Sequence, residues 1–180
     1  MYAKLFEVKE TGGKGKGLFA KQFIPKGTIP GFECDKCEIL LGIDPSKMSE
    51  KEKDELFLRA YRKQDGSFVA PCDDSRYMNH SCDANILDSG RGFDLVVRDI
   101  QKGEEASFDY RGFYDDLNMP CQCGSKNCCK IVTCAQPIPE DLARFWAKRA
   151  TAALNRVHEV PQPLKEELKQ KSIFLPLAKV

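Results

Sequence analysis

The stretch RYMNHSCDAN, Arg76–Asn85, concentrates polar side chains in a chain that has only two histidines. One of them, His80, stands between Asn79 and the pair Ser81-Cys82. Burying such a cluster costs free energy unless each polar group finds a partner. The residues alone leave three interpretations open: a hydrogen-bonded turn, a corner of a metal site, or part of a cofactor pocket.

Length and composition limit the classes of protein to consider. The 180 residues suit one domain with a small appendage. The 28 basic and 27 acidic side chains leave a net charge of +1, which disfavours general binding to nucleic acid or to anionic membranes. No apolar run reaches membrane-spanning length, and the first ten residues lack the apolar core of a signal peptide. We therefore expect a reducing compartment: the cytoplasm if the protein is microbial, or alternatively the nucleus and chromatin.

Short apolar and alternating runs separated by glycine- and proline-rich turns predict a mostly β fold. GGKGKG, residues 12–17, breaks the first pattern and predicts a turn. The predicted strands are AKLFEVKE (3–10), two runs within GLFAKQFIPKGTIPGFE (17–33), SFVAPC (67–72), FDLVVRDI (93–100) and EASFDY (105–110).

Helical signals occur in the middle and at the end of the chain. Ser49 and Glu52 form a capping-box pattern, and Leu56, Phe57, Ala60 and Tyr61 follow at helical spacing. A second helix should start near Pro139 and end at the Pro161/Pro163 pair, followed by a short polar helix in LKEELKQK (164–171) and an apolar tail (172–180). The apolar stripe of the second helix either shields the core or forms a dimer contact. It consists of Leu142, Phe145, Trp146, Arg149, Ala153, Leu154 and Val157.

Nine cysteines, an odd number without an export signal, disfavour a disulfide framework. CQCGSKNCCK, residues 121–130, spaces Cys121, Cys123 and Cys128 as C-x-C-x4-C, and Gly124 lets the loop turn tightly. Three such thiolates can surround one zinc ion, and the fourth ligand must then come from elsewhere in the chain. The alternative is a set of free thiols.

The remaining cysteines carry weaker signals. Cys34 and Cys37 form a C-x-x-C pair that lacks a second pair, so a second metal there stays an open alternative. A redox role is disfavoured because no βαβ pattern surrounds the pair. We predict that Cys72, Cys129 and Cys134 are packing residues.

Four motifs follow one another along the chain: GKGKGLFA (13–20), RYMNHSCDAN (76–85), GEEASFDY (103–110) and CQCGSKNC (121–128). In this order they resemble the SET-domain protein-lysine methyltransferases with a post-SET cysteine segment, from about Tyr2 to about Thr133. The resemblance implies a β-clip SET fold with a threaded, pseudoknot-like core, a helical insert and C-terminal helices. It divides the chain into a SET domain (2–112, with the insert at about 44–63), a post-SET zinc segment (117–133) and a C-terminal helical extension (134–180).

The resemblance also implies two binding sites. S-adenosyl-L-methionine would bind the main chain of the glycine motif together with residues of the Asn-His motif: Lys16, Gly17, Leu18, Tyr77, Asn79 and His80. Cys82 would be the fourth ligand of a Zn²⁺ ion held by Cys121, Cys123 and Cys128. Ala84 stands where the family usually has proline, which we expect to loosen that turn slightly.

Tyr110 matches the family's catalytic tyrosine, and Phe108 should face the same substrate channel because it lies two residues earlier on a strand. Methyl transfer needs an uncharged amine aligned with the methyl carbon, and the hydroxyl of Tyr110 would orient that amine. Phe108 lacks a hydroxyl and leaves more room, which suggests di- or trimethylation. Tyr61, Tyr77, Phe113 and Tyr114 are further candidates for channel walls, or else plain core residues.

The expected activity is therefore methylation of a lysine side chain in a protein, such as a histone or another basic chromosomal protein. The alternative is a catalytically silent SET module that binds a protein partner. A zinc-containing nucleic-acid module is disfavoured by the near-neutral charge, and no membrane partner is expected. Three pairs of acids either attract a basic substrate or are solvated loop residues. They are Asp73/Asp74, Glu104/Glu105 and Asp115/Asp116.

Overall fold

Short β-strands dominate the fold, as the sequence predicts. The computed structural model describes residues 1–114, 117–134 and 136–171. The strands are β1 (Phe6–Glu10), β2 (Lys16–Ala20), β3 (Glu38–Leu40), β4 (Tyr61–Arg62), β5 (Phe68–Ala70), β6 (Asn79–His80), β7 (Ile86–Asp88), β8 (Asp94–Val96), β9 (Glu105–Phe108), β10 (Asn118–Pro120) and β11 (Ile131–Thr133). The α-helices are α1 (Glu50–Phe57), α2 (Glu140–Leu154) and α3 (Lys165–Gln170), and short 3₁₀ helices cover Pro45–Lys47, Asp74–Tyr77 and Tyr110–Gly112.

One sheet joins three of the four sequence motifs. Its strand order is β1-β2-β9-β6, beside smaller sheets of order β3-β5-β4, β7-β8 and β10-β11. β2 runs antiparallel to β9 with Leu18 opposite Ala106, and β6 runs parallel to β9 with His80 opposite Phe108. The glycine motif, the Asn-His motif and the strand that leads to Tyr110 therefore lie side by side.

A buried asparagine fixes the segment that follows Cys82. Asn85 has no exposed surface, its Nδ2 donates to the Glu105 carbonyl at 2.9 Å, and its Oδ1 accepts from the Ser107 amide at 2.8 Å. The Asn85 side chain thus makes two hydrogen bonds to the β9 main chain, of the kind that a neighbouring strand would make. The carbonyl of Ala84, before it, accepts a hydrogen bond from Arg149 Nη2 at 2.7 Å, so both residues of this turn are anchored.

The helical insert forms the predicted capping box but ends earlier than its apolar spacing suggests. Ser49 Oγ accepts from the Glu52 amide, and Glu52 Oε2 accepts from the Ser49 amide at 2.8 Å. α1 nevertheless ends at Phe57, because Tyr61 pairs with Val69 across β4 and β5. Leu56, Ala60 and Phe68 then close a small core that is local to the insert.

The C-terminal helices cover the main core. α2 begins at Glu140, as predicted, but ends at Leu154 rather than at the Pro161/Pro163 pair. Just beyond the helix end the backbone packs closely on the turn at Gly27: a Cβ on Gly27 would lie 3.0 Å from the Arg156 carbonyl carbon. Residues from α2, α3 and the segment between them complete the core around Ile29, Phe32, Leu95 and Val97; they are Ala153, Val157, Leu164 and Leu168.

The apolar tail, residues 172–180, lies outside the described residues. In the described part of the chain, no helix is long and apolar enough to cross a membrane.

Gly17 lets two polar side chains lie directly against β2. A Cβ at this position would lie 2.7 Å from Glu105 Oε1 and from Thr11 Cγ2, and 3.0 Å from Asn79 Nδ2. Such distances force a neighbour to move. The glycine is therefore required by close packing rather than by an unusual backbone angle.

Replacing Gly17 with alanine should lower the free energy of unfolding by about 1 kcal/mol, because the new methyl group forces Thr11 and the ends of the Glu105 and Asn79 side chains to move. Urea denaturation measures this change. Gly13→Ala is the matched control, since a Cβ at Gly13 meets nothing within 4 Å. It should leave the protein equally stable or slightly more stable. Equal effects of the two variants would contradict the packing role of Gly17.

Candidate active site and metal centre

An open groove with a volume of about 2100 Å³ passes beside the four sequence motifs. It brings most of the predicted cofactor, channel and metal-binding residues to one surface. Those that line it are Lys16, Tyr77, Asn79, His80, Phe108, Tyr110, Cys121 and Cys123.

The predicted cofactor residues divide between the groove and the core behind it. Asn79 Nδ2 donates to the Lys16 carbonyl at 3.0 Å and to Glu105 Oε1 at 2.7 Å, while Lys16 Nζ lies 5.4 Å from the centre of the Tyr77 ring. Leu18 is 2% exposed and packs in the core beneath the sheet. Among the described residues that line the groove, neither Gly17 nor Leu18 appears.

Tyr110 follows β9 at the start of a 3₁₀ turn, and its hydroxyl donates a hydrogen bond to the Met78 carbonyl. Burial raises the pKa of the Tyr110 phenol well above its ordinary value, and the nearby Glu105 charge raises it further. The phenol is therefore neutral, and its proton is committed to Met78. Its oxygen lone pairs stay available to accept a hydrogen bond from another group.

Phe113 is the centre of an aromatic cluster around Tyr110. Its ring lies 5.3 Å from the Tyr110 ring and stacks on Phe108, at 5.6 Å and 9°, and on Tyr61, at 5.2 Å and 18°. Tyr61 comes from the insert, so the insert supplies one wall of the cluster. Of the other predicted channel walls, Tyr114 lines the same groove.

His80 connects this site to the thiols of the metal motif. The Tyr110 amide donates to Nδ1 at 3.1 Å, and Nε2 lies 3.3 Å from Cys82 Sγ. Burial lowers the pKa of His80 to about 4, against the opposing effect of the Asp109 carboxylate, so the ring is neutral near pH 7. A neutral ring whose Nδ1 accepts carries its proton on Nε2, and this proton points to the Cys82 sulfur. Both ring nitrogens of His80 in the opening motif thus have partners: the Tyr110 main-chain amide at Nδ1 and the Cys82 sulfur at Nε2.

The four predicted metal ligands lie together. The sulfur atoms of Cys82, Cys121, Cys123 and Cys128 are all within 4.8 Å of one another, and Cys82 and Cys121 are 3.7 Å apart. Tetrahedral zinc with bonds of 2.3 Å separates its sulfur ligands by about 3.8 Å. The cluster therefore has the donor type and nearly the spacing of a four-thiolate zinc centre.

A fifth thiol, Cys129, was predicted to be a packing residue but touches the same centre. Its sulfur lies 3.4 Å from Cys82 Sγ, and its amide donates to that sulfur at 3.4 Å. His80, Cys82, Cys121 and Cys129 form a second set with metal-binding spacing. That set requires an unprotonated Nε2 on His80, which conflicts with the Tyr110 amide donating to Nδ1. The chemistry of the donors therefore favours the four-cysteine set, with Cys129 and His80 as hydrogen-bond donors to Cys82.

The C-terminal helix α2 reaches the site through a buried carboxylate that sequence reasoning missed. Asp109, 2% exposed, accepts from Arg111 Nη2 at 2.6 Å and from Trp146 Nε1 at 3.1 Å. Arg149, also on α2, lies 3.3 Å from Asp83. The two polar groups within the apolar stripe, the Trp146 indole and Arg149, were the available signal that α2 packs against something charged.

Three of the four described acids that flank the motifs have partners within the chain. Asp73 accepts from the Tyr2 amide at 2.6 Å, Glu104 is paired with Arg98, and Glu105 is paired with Lys14 at 2.8 Å. These three carboxylates hold the fold together rather than standing free for a substrate. Asp115 and Asp116 lie outside the described residues.

Comparison with known proteins places these motifs in a family. A sequence model of the SET domain matches residues 15–111, more than half of the chain. Human histone-lysine N-methyltransferase SETMAR is 31% identical over 157 residues, which cover 68% of this chain and 22% of that protein. The Schizosaccharomyces pombe histone-lysine N-methyltransferase described as H3 lysine-9 specific is 28% identical over 156 residues, covering 68% of this chain and 31% of its own length.

Mouse SETMAR is 30% identical over 158 residues, and the match covers 50% of its length. The crystal structure of the methyltransferase domain of human SETMAR is 27% identical, with a TM-score of 0.47, over 71% of this chain and 57% of that one. The chain thus spans half or less of the curated relatives named above. On the match of the family model, the chain belongs to the SET-domain family.

Proposed function

We propose that the chain is an S-adenosyl-L-methionine-dependent methyltransferase that modifies the side-chain amine of lysine in a protein. The main support is Tyr110: its proton is committed to the Met78 carbonyl, and its oxygen lies beside an aromatic cluster at the groove. The matched relatives, whose names are histone-lysine N-methyltransferases, support the same reaction class.

The cofactor would lie at Lys16, Tyr77, Asn79 and the main chain of His80. These residues fit it because an amide, a main-chain carbonyl and the Glu105 carboxylate converge there within 3.0 Å. When bound, S-adenosyl-L-methionine supplies a methyl group on a positively charged sulfur. The Glu105 carboxylate favours such a charge, and the Asn79 amide orients the polar end of the ligand. Gly17 leaves room for the Glu105 and Asn79 side chains to lie against β2, and Leu18 packs this strand onto the core.

The substrate amine would enter between the rings of Tyr61, Phe108 and Phe113. A lysine in water has a pKa of about 10.4, and removal from water lowers this value. The Tyr110 oxygen would accept a hydrogen bond from the amine and so aim the nitrogen lone pair at the methyl carbon. Most of the acceleration would come from this alignment and from exclusion of water.

The side chain of Phe108 supports more than one methylation step. Phe108 stacks on the Phe113 ring, which lies 5.3 Å from the Tyr110 ring, and Phe108 itself has no hydroxyl with which to hold a water. A lysine that already carries one methyl group therefore finds room to rotate and react again. We expect di- or trimethylated products.

A zinc ion held by Cys82, Cys121, Cys123 and Cys128 would tie the post-SET segment to the core. Cys121 and Cys123 line the groove, so the ion would also fix part of its wall. Residues 60–64, which include β4, and 117–120, which include β10, line the groove as well. A substrate segment lying between them as an added strand would use a known mode of peptide recognition. A histone or another basic chromosomal protein is the proposed substrate.

Replacing Tyr110 with phenylalanine should lower kcat for methyl transfer at least about 100-fold, because the amine loses its hydrogen-bond acceptor. Transfer of labelled methyl groups to core histones and to other lysine-rich proteins measures this. Zinc content and cofactor affinity should not change.

Tyr114→Phe is the matched control, since it removes a groove hydroxyl other than the one that donates to Met78, and it should keep most of the activity. Wild-type protein that binds no S-adenosyl-L-methionine and labels no protein in a broad panel would contradict the proposal. That result would favour the silent, partner-binding SET module.

Replacing Phe108 with tyrosine should shift the products toward monomethyl-lysine, because the added hydroxyl occupies space beside Tyr110 and holds a water there. Mass spectrometry of the methylated peptide gives the distribution. A distribution identical to that of the wild type would show that Phe108 does not limit the channel.

Zinc binding at Cys82 should strengthen as the pH rises. Burial raises the pKa of the Cys121 thiol to about 12 and that of the Cys82 thiol further, so the metal-free cluster holds these two protons near neutrality. Binding must release them, and the apparent affinity should therefore increase about 100-fold per pH unit. Competition with a chromophoric chelator of known pH dependence measures the slope. An affinity that does not change with pH would contradict ligation through these thiolates.

A further inference from the structure

We propose a second metal site, built from Cys34, Cys37 and Cys72, that binds one Zn²⁺ through three thiolates. The three sulfur atoms lie within 4.8 Å of one another, apart from the Cys82 centre. Only Cys34 and Cys37 are close in sequence. Cys72 follows Cys37 by 35 residues, and the fold is what adds it to the pair.

The spacing of the sulfurs matches metal ligands. Cys34 Sγ lies 3.9 Å from Cys37 Sγ and 3.5 Å from Cys72 Sγ, and Cys37 and Cys72 are 3.9 Å apart. One face of a zinc tetrahedron with 2.3 Å bonds is a triangle with edges of about 3.8 Å. All three distances fall close to that edge, so one ion can contact all three sulfurs at bonding distance.

A backbone turn and a strand pairing fix the positions of the three cysteines. The Cys37 amide donates to the Cys34 carbonyl at 3.1 Å, so the pair sits in a tight turn. Immediately after it, Glu38 pairs with Ala70 across β3 and β5, which brings Cys72 beside the turn. Cys34 is buried in the main core, and Cys72 is exposed. The site therefore joins the core, the insert sheet and the segment that leads to Asn79.

Solvent would supply the fourth ligand, since Cys72 is exposed. Among the described residues, no further His, Cys, Asp or Glu offers a ligand atom to this cluster. Zinc with three protein ligands completes its tetrahedron with water. On binding, each thiol gives up its proton to solvent, so the ion and three thiolates form a unit with one negative charge.

A metal accounts for the cluster better than a disulfide does. A disulfide needs sulfur atoms about 2.05 Å apart and uses two cysteines, which would leave the third unexplained. All nine cysteines are free thiols in the structure. A zinc ion uses all three and permits their close approach by neutralising the thiolates.

Replacing Cys72 with serine should remove one zinc ion per chain, whatever the Cys82 centre holds. Elemental analysis of protein purified under reducing conditions without chelator gives the ratio of zinc to chain. Cys37→Ser should show the same loss. Cys134→Ser, at a thiol that belongs to neither cluster, is the matched control and should lose none.

The Cys72→His variant distinguishes a metal site from a disulfide at these cysteines. Imidazole is a zinc ligand but cannot form a disulfide, and an exposed position accommodates the larger ring. This variant should keep the full zinc content. Zinc content that is equal in Cys72→Ser and wild type, or that is lost in Cys72→His as in Cys72→Ser, overturns the proposal.

If Cys72→Ser does not fold, cobalt binding by the triple variant Cys121→Ser/Cys123→Ser/Cys128→Ser decides the question. This variant keeps only Cys82 of the four ligands of the Cys82 centre and should still bind one Co²⁺ ion with thiolate-to-metal charge-transfer absorption. Loss of all cobalt binding, or a Cys34–Cys72 disulfide found by peptide mass spectrometry under reducing conditions, overturns the proposal.

Discussion

The contact between Cys82 and the sulfurs of the cysteine loop at residues 121–129 is the one on which the site depends. Cys82 is 2% exposed and has the sulfurs of Cys121 and Cys129 at 3.7 and 3.4 Å. Several thiolates this close repel one another strongly in a buried position, so they need either protons or a cation. The proposed metal ion would remove this repulsion and link two segments that are 39 residues apart. It would do so at the wall of the groove in which the proposed reaction takes place.

The two residues of β6 face opposite ways, Asn79 toward the proposed cofactor site and His80 toward the thiol cluster. Adjacent residues of a strand face opposite ways, so Asn79 reaches the Lys16 carbonyl and Glu105 while His80 reaches Cys82. The His80 ring also accepts from the Tyr110 amide, so the position of the tyrosine depends on the ring that contacts the metal centre. Metal binding at Cys82 would thereby be coupled to the position of the Tyr110 hydroxyl through one neutral histidine.

Much of this arrangement could be predicted from the sequence, because its signals are local or belong to spaced motifs. The alternating runs locate β1, β2, β5, β8 and β9, and the Ser49–Glu52 pattern locates the start of α1. The strands β3, β4, β6, β7, β10 and β11 are two or three residues long and, unlike the equally short β5 and β8, lie outside the longer runs that predict strands. Their existence depends on partners distant in sequence.

The contacts that the sequence does not reveal also depend on residues that are distant in sequence. Cys72 joins Cys34 and Cys37 only because β3 pairs with β5, and Cys129 turns toward Cys82 only once the loop has folded. Just beyond the early end of α2, Arg156 packs against Gly27, a contact that helix periodicity does not encode. Likewise, Trp146 gave an apolar signal, whereas its indole nitrogen binds the buried Asp109.

Anomalous diffraction at the zinc absorption edge, from crystals of the protein, tests the central contact most directly. The account predicts a peak about 2.3 Å from each of the Cys82, Cys121, Cys123 and Cys128 sulfurs. A peak ligated by His80 or Cys129 in place of one of these four, or no peak near Cys82, would contradict it.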